Sequence, residues 1–334
     1  MKSTLGRAPL VALAGALVAT GLSVGPSPAA VPSASEGLRS AIAFGPAASS
    51  ARARTTSYTR TRGTSSEPFV LTVTDTRGKI RGRMGGTATQ SETLNSKSHD
   101  WTRTLEIKIV SASGLAAGGA SITTKLTCGK GALRCQPSKA VKGTLRKGKV
   151  YTASWTVHSP GDKVVVHRPV PVAAISVIGA TPARSTPMTL RGVRCDSVSY
   201  LGRPGCVYAS WLPTFALSRT DRAIREAAQH VYDAQRRIKG QPGLSTPLHR
   251  LTNKSRIGKN RAAVCKKKYP RPKGRSCDEY PMASTREGGK DEARGLSSHR
   301  MINAKQNSKA GTRLNQFYGN NRIMDGDGFF AKAT

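Results

Sequence analysis

Six cysteines fall in three close pairs, Cys128 and Cys135, Cys195 and Cys206, Cys265 and Cys277. Whether they are bonded decides how such a chain can fold, and the amino terminus bears on that. Lys2 and Arg7 lead into the apolar stretch Leu10 to Val24, which ends in Ser27-Pro28-Ala29-Ala30. A positive start, a short apolar run and a small-residue close form the pattern of a secretory signal peptide over residues 1–30, cut after Ala29 or Ala30. The run is short for a bilayer span and no longer one follows, which argues against a membrane anchor and leaves no span once the leader is removed. The expectation is an extracellular, monomeric protein whose thiols are oxidised. Six cysteines permit many pairings; the local one, closing three short loops as Cys128–Cys135, Cys195–Cys206 and Cys265–Cys277, is the simplest. The chain has no C-x-x-C, and no histidine stands at ligand spacing from a cysteine, so zinc is disfavoured.

Charge narrows the partners. Among 334 residues, 54 Lys and Arg against 18 Asp and Glu give a formal charge of +36, which favours polyanions. Only 37% of residues are hydrophobic, which excludes a polytopic membrane protein and argues against one large enzyme core. Residues 31–66, rich in Ala, Ser, Thr and Arg without an apolar period, read as a disordered basic linker. Residues 67–192 carry alternating or β-branched runs, such as Phe69 to Thr74, Leu105 to Val110 and Tyr151 to Val157, and predict a small all-β accessory domain. No nucleophile, carboxylate pair or metal cluster is visible in them. From Cys195 to Thr334 the pattern is mixed. Apolar residues at helical spacing predict a helix from Arg219 to Lys239, capped by Thr220 and stopped at Gly240.

The informative part follows. Residues 250–275 contain eleven Lys or Arg and no acid, among them Arg261, Lys266, Lys267, Lys268 and Arg275. Five of the 18 acids then cluster at Asp278, Glu279, Glu287, Asp291 and Glu292. A cationic surface holds a phosphate backbone, and a small carboxylate pocket seats a divalent cation or activates water. Carboxylates among so many cations stay ionised and suit a hard ion, Mg²⁺ or Mn²⁺. A pure binding surface gains nothing from them, because bare carboxylates repel the ligand.

The segment Cys277-Asp278-Glu279-Tyr280-Pro281-Met282-Ala283 with Glu287-Gly288-Gly289 resembles the signature of the NucA/NucB deoxyribonuclease family. Gln306-Asn307-Ser308-Lys309-Ala310-Gly311 is similar to its D/E-N-x-x-x-G segment. Leu314 to Tyr318 and Arg322 to Phe329 are similar to the closing motifs of its actinobacterial branch. The resemblance covers about 245–332 and extends to 195–334 as an α+β nuclease domain. It implies a secreted, metal-dependent, largely sequence-non-specific DNA endonuclease, with DNA as partner. Asp278, Glu279, Glu287 and Asn307 then become the catalytic candidates, with Asp278 and Glu287 as metal ligands. Arg261, Lys266, Lys267, Lys268, Arg275, Arg286, Lys309 and Arg322 become the substrate-binding set.

An extended segment turns Asp278 and Glu279 to opposite faces, so only one would line a pocket fully. Gly288-Gly289 would let the backbone approach phosphate or metal. Gln306 stands where the family has an acid, which Asp291 or Glu292 would have to replace. His249 and His299 are further candidates for a base. Asp325-Gly326-Asp327-Gly328 reads as a tight turn rather than a calcium loop, and Phe317-Tyr318 as core. The alternative is a non-catalytic protein that binds DNA or acidic wall polymers, with Gln306 marking a decayed site.

Overall fold

The computed structural model describes residues 37–44, 54–128, 133–136, 139–161, 163–185 and 189–334; the expected leader lies outside them. Among the described residues the protein is mostly β-strand with three α-helices. The first part contains β1 (Leu38–Phe44), β2 (Thr55–Tyr58), β3 (Arg62–Thr74), β4 (Ile80–Thr93) and β5 (Asp100–Gly114). There follow β6 (Ala120–Thr127), β7 (Arg134–Gln136), β8 (Val141–Leu145), β9 (Val150–His158) and β10 (Val165–His167). β11 (Val170–Ser176), β12 (Ala180–Thr181), β13 (Ala183–Arg184), β14 (Val193–Asp196) and β15 (Gly205–Val207) complete it.

An eight-stranded sheet runs β12-β1-β3-β4-β5-β9-β7, with β2 added on β3, and a four-stranded sheet runs β13-β11-β6-β8. Alternation builds their shared core: Phe69, Leu71 and Val73 of β3 and Tyr151, Ala153 and Trp155 of β9 point inward, with Ile122 and Ile175 from the facing sheet. A third sheet, β10-β14-β15, places Cys195 directly opposite Cys206. The sulfurs paired in the structure are Cys128–Cys135, Cys195–Cys206 and Cys265–Cys277.

The disordered-linker expectation fails for the described residues of 31–66. β1 lies antiparallel on β3, with Leu38, Ile42 and Phe44 packed against the core. β2 pairs with β3, and Arg60 is only 4% exposed. The run Leu38 to Phe44 is short and its partner begins some twenty residues on, so the pairing has no local signature.

The second part contains β16 (Thr214–Leu217), α1 (Arg225–Arg237), β17 (Leu248–His249), α2 (Lys254–Val264), β18 (Arg275–Tyr280), β19 (Ser298–Asn303), α3 (Ala304–Asn320) and β20 (Gly328–Ala333). β20 lies between β16 and β17, while among the described residues β18 pairs only with β19. Val231 and Ala234 of α1, Leu314 and Tyr318 of α3 and Phe329 of β20 share a core with Tyr280. α1 starts later than expected. Thr220 does not cap it, because Asp221 accepts from Ala223 N and Ile224 N in a preceding turn. α2 is capped by Asn253, whose side chain accepts from Arg256 N. Phe317-Tyr318 belong to the core, as expected, and Asp325 to Gly328 form a turn with Gly326 at φ 79°.

Buried charge joins the two parts. Arg322, 1% exposed, places Nη2 2.6 Å from Asp196 Oδ1 and Nε 2.9 Å from Oδ2, and donates to the Ser96 and Arg203 carbonyls. In return, Arg194 reaches Asp327 at 2.7 Å. Arg60 donates to the Tyr208, Trp211, Asn321 and Arg322 carbonyls and reaches Asp327 at 3.3 Å. Burial, and next the charge of Arg194, pull the Arg60 guanidinium down to about 10, against the pull of Asp327. Arg322 is therefore not a substrate-binding side chain. All its donors are turned into the protein.

Candidate active site

β18 has one free edge, and a cavity of about 290 Å³ opens beside it. α1, α2 and α3 each turn one stripe to this space: Ala227 and Val231, Ile257 and Arg261, and Asn307, Ala310, Gly311, Leu314 and Asn315. These spacings of three and four residues are those of single helix faces. Phe215 and Leu217 of β16 complete an apolar floor, and Asp278, Glu279 and Ser284 stand with them in the wall.

Asp278 and Glu279 alternate along the strand, yet both line the cavity, in contrast to the expectation that only one would. The open edge of a two-stranded ribbon lets side chains from both faces reach the same cleft. Asp278 is gripped from α1: His230 Nδ1 lies 2.8 Å from its Oδ2. A carboxylate only accepts, so Nδ1 carries the hydrogen. Nε2 of His230 lies 3.0 Å from Ser298 Oγ, and the ring is fully buried, so it is spent on holding Asp278. Glu279 faces Arg261 at 3.4 Å. Burial raises its carboxyl pKa, with the charge of Asp278 second, while Arg261 opposes. Asn307 donates through Nδ2 to Ser276 Oγ at 3.0 Å and to the Cys277 carbonyl at 3.1 Å, which commits both amide hydrogens to β18 and leaves Oδ1 as its remaining polar atom.

The other expected residues lie elsewhere. Glu287 does not line the cavity; its Oε1 is 2.7 Å from His249 Nδ1 and its Oε2 accepts from His249 N. Asp278 and Glu287 are thus held by different histidines rather than brought into one ligand set. Among the described residues no group of three or more His, Cys, Asp or Glu could hold a metal ion. The side chains that offer a cation oxygen in the cavity wall are Asp278, Glu279, Ser284, Asn307 and Asn315. That set fits Mg²⁺ or Mn²⁺, which bind through one or two carboxylates and keep water and substrate phosphate in their other positions.

Gln306 does not line the cavity; its Oε1 accepts from Glu226 N at 2.7 Å. Asp291 pairs with Arg294, and Glu292 with His299, whose ring is stacked on Tyr269. None of these residues lines the cavity. The glycine pair serves packing rather than ligand approach: a Cβ on Gly288 would meet Met282 O at 2.5 Å, and one on Gly289, at φ 74°, would meet Asn260 Cα at 2.6 Å. Asn260 in turn donates to the Ala283 and Thr285 carbonyls, which docks α2 beside the site.

Of the expected phosphate binders, Arg261 lines the cavity, and Lys266, Lys267 and Lys268 are exposed on the loop after α2. The Cys265–Cys277 disulfide ties the start of that loop to β18, next to Asp278. Lys309 is exposed on α3. Arg275 is held by Glu226 and the Met301 carbonyl, and Arg286 pairs with Asp325.

Sequence reasoning missed His230 and Ser298. His230 shares the buried face of α1 with Ala227, Ala234 and Val231. A histidine on the apolar stripe of an amphipathic helix requires a buried partner, and that was the available signal.

Residues 239–331 match the family model described as Deoxyribonuclease NucA/NucB. No curated protein matches the chain.

Proposed function

Because its carboxyl-terminal domain belongs to the NucA/NucB deoxyribonuclease family, we propose that the protein is a secreted, divalent-metal-dependent DNA endonuclease with little sequence preference. The observation that carries this reading is the clamped Asp278 in a cavity shared with Glu279 and Asn307, beside an uninterrupted basic segment.

Asp278 and Asn307 would hold Mg²⁺ or Mn²⁺, which when bound supplies polarisation of the scissile phosphate and a more acidic attacking water. His230 fixes Oδ2 of Asp278, so the remaining oxygen is presented to the cavity in one orientation. Glu279, whose carboxyl binds protons more readily than usual, takes the proton released by the attacking water. Arg261 and the lysines after α2 neutralise the phosphate backbone without reading bases, which accounts for weak sequence preference. The bland alternative, a decayed binding protein, leaned on Gln306, and that residue is engaged with α1 rather than turned to the cavity.

The test is purified full-length protein incubated with supercoiled plasmid in Mg²⁺, in Mn²⁺ and in EDTA. Nicking with either ion and none in EDTA is the expected result. Undiminished cleavage in EDTA would rule out the metal, and no cleavage under any condition would rule out the enzyme.

A further inference from the structure

The cleft beside β18 encloses about 290 Å³. It exceeds any gap that a single water fills, and larger side chains would close it. The chain instead puts Ala227, Ala310 and Gly311 on the helix faces that border it. At Gly311 an added Cβ would meet nothing within 4 Å. The floor is apolar, made by Phe215, Leu217, Val231 and Leu314, whereas Ser284 and Asn315 add donors and acceptors to the wall. An occupant that matches this lining has an apolar body with polar edges, and an anionic group that meets Arg261 beside the carboxylates. The volume is at the small end of ligand pockets, roughly 300 Å³ and upward, which admits one nucleotide and no base pair.

Building on the nuclease reading, we infer that this cavity takes in one unstacked nucleotide of the DNA next to the bond that is cut. A base inside a duplex cannot reach the floor while it remains paired, whereas a single strand offers it at little cost. Single-stranded or locally opened DNA is then the preferred substrate, and intact duplex is cut after a base leaves the stack.

The experiment has two arms, both on the full-length protein. The first compares kcat/KM for one oligonucleotide as a single strand, as a perfect duplex and as a duplex with an extrahelical base. The expected order puts the single strand and the bulged duplex about tenfold or more above the perfect duplex, the cost of extruding a paired base. The second binds a single strand carrying one 2-aminopurine, without divalent ions, to the wild type and to Gly311→Phe, which adds a ring to the wall of the cavity. The fluorescence change of the probe in the wild type is expected to be lost in the variant, whose thermal midpoint stays at or above the wild-type value because glycine is replaced within a helix. Equal rates on all three substrates, or a probe response unchanged by Gly311→Phe, would overturn the inference while leaving the nuclease reading intact. A variant that unfolds leaves the substrate comparison to decide. Failure to cut any DNA would overturn both.

Discussion

Asp278→Asn is expected to lower plasmid cleavage by about 10²- to 10⁴-fold, the range for removing a group that acts on the reacting centre. The change keeps the shape and the hydrogen bond from His230 but removes the charge that a cation needs. The fold should be unaffected, because the asparagine keeps an oxygen that accepts from His230 Nδ1. DNA binding measured in EDTA should be equal or tighter, since one negative charge leaves a phosphate-binding surface. Glu287→Gln makes the contrast. Glu287 holds His249 outside the cavity, so its loss should act on stability before it acts on chemistry. Initial rates together with thermal midpoints separate the two cases. Near wild-type cleavage by Asp278→Asn would show that the reaction takes place elsewhere.

Arg322→Ala is the second large effect. The Arg322–Asp196 pair is fully enclosed, with side chains 1% and 0% exposed, and it links the β-sandwich part to the carboxyl-terminal domain. Removing Arg322 leaves Asp196 charged and buried with Arg194, 3.8 Å away, as its remaining cationic partner, and breaking such a pair costs about 3–5 kcal/mol in comparable sites. The loss should appear as one shifted unfolding transition that reports on both parts, because Arg60 and Arg194 cross the same boundary to Asp327. Denaturant unfolding, followed by tryptophan fluorescence from the β-part and by loss of nuclease activity from the other, is the check. Two separate transitions in the wild type would show that the parts fold independently. A domain that folds alone would not depend on Asp196, which lies 126 positions away in the chain.

These two cases also show how much could be read in advance. Strands such as Phe69 to Thr74 were legible because inward and outward residues alternate, and that is a local property. The acids at 278 and 279 stand out in the sequence as carboxylates after a cationic segment, and the fold lines one cavity with both. Arg322 was misjudged as a phosphate contact because it is basic and lies in a polar motif; only the fold places Asp196 against it. Glu287 is paired with Asp278 as a metal ligand by the family resemblance alone, whereas the turn after β18 carries it to His249 of β17. His230 escaped notice because its two partners come from β18 and β19, 48 and 68 residues on. In each instance the missing information was a non-local pairing.

In the proposed site Asp278 helps to seat a divalent ion in the cavity. The most direct test is Mn²⁺ titration of the full-length protein, followed by the loss of free-ion electron paramagnetic resonance signal, for the wild type and Asp278→Asn. One Mn²⁺ site is expected in the wild type, weakened about 10-fold or more when the ligand charge is removed. Identical Mn²⁺ binding by the two proteins would contradict it.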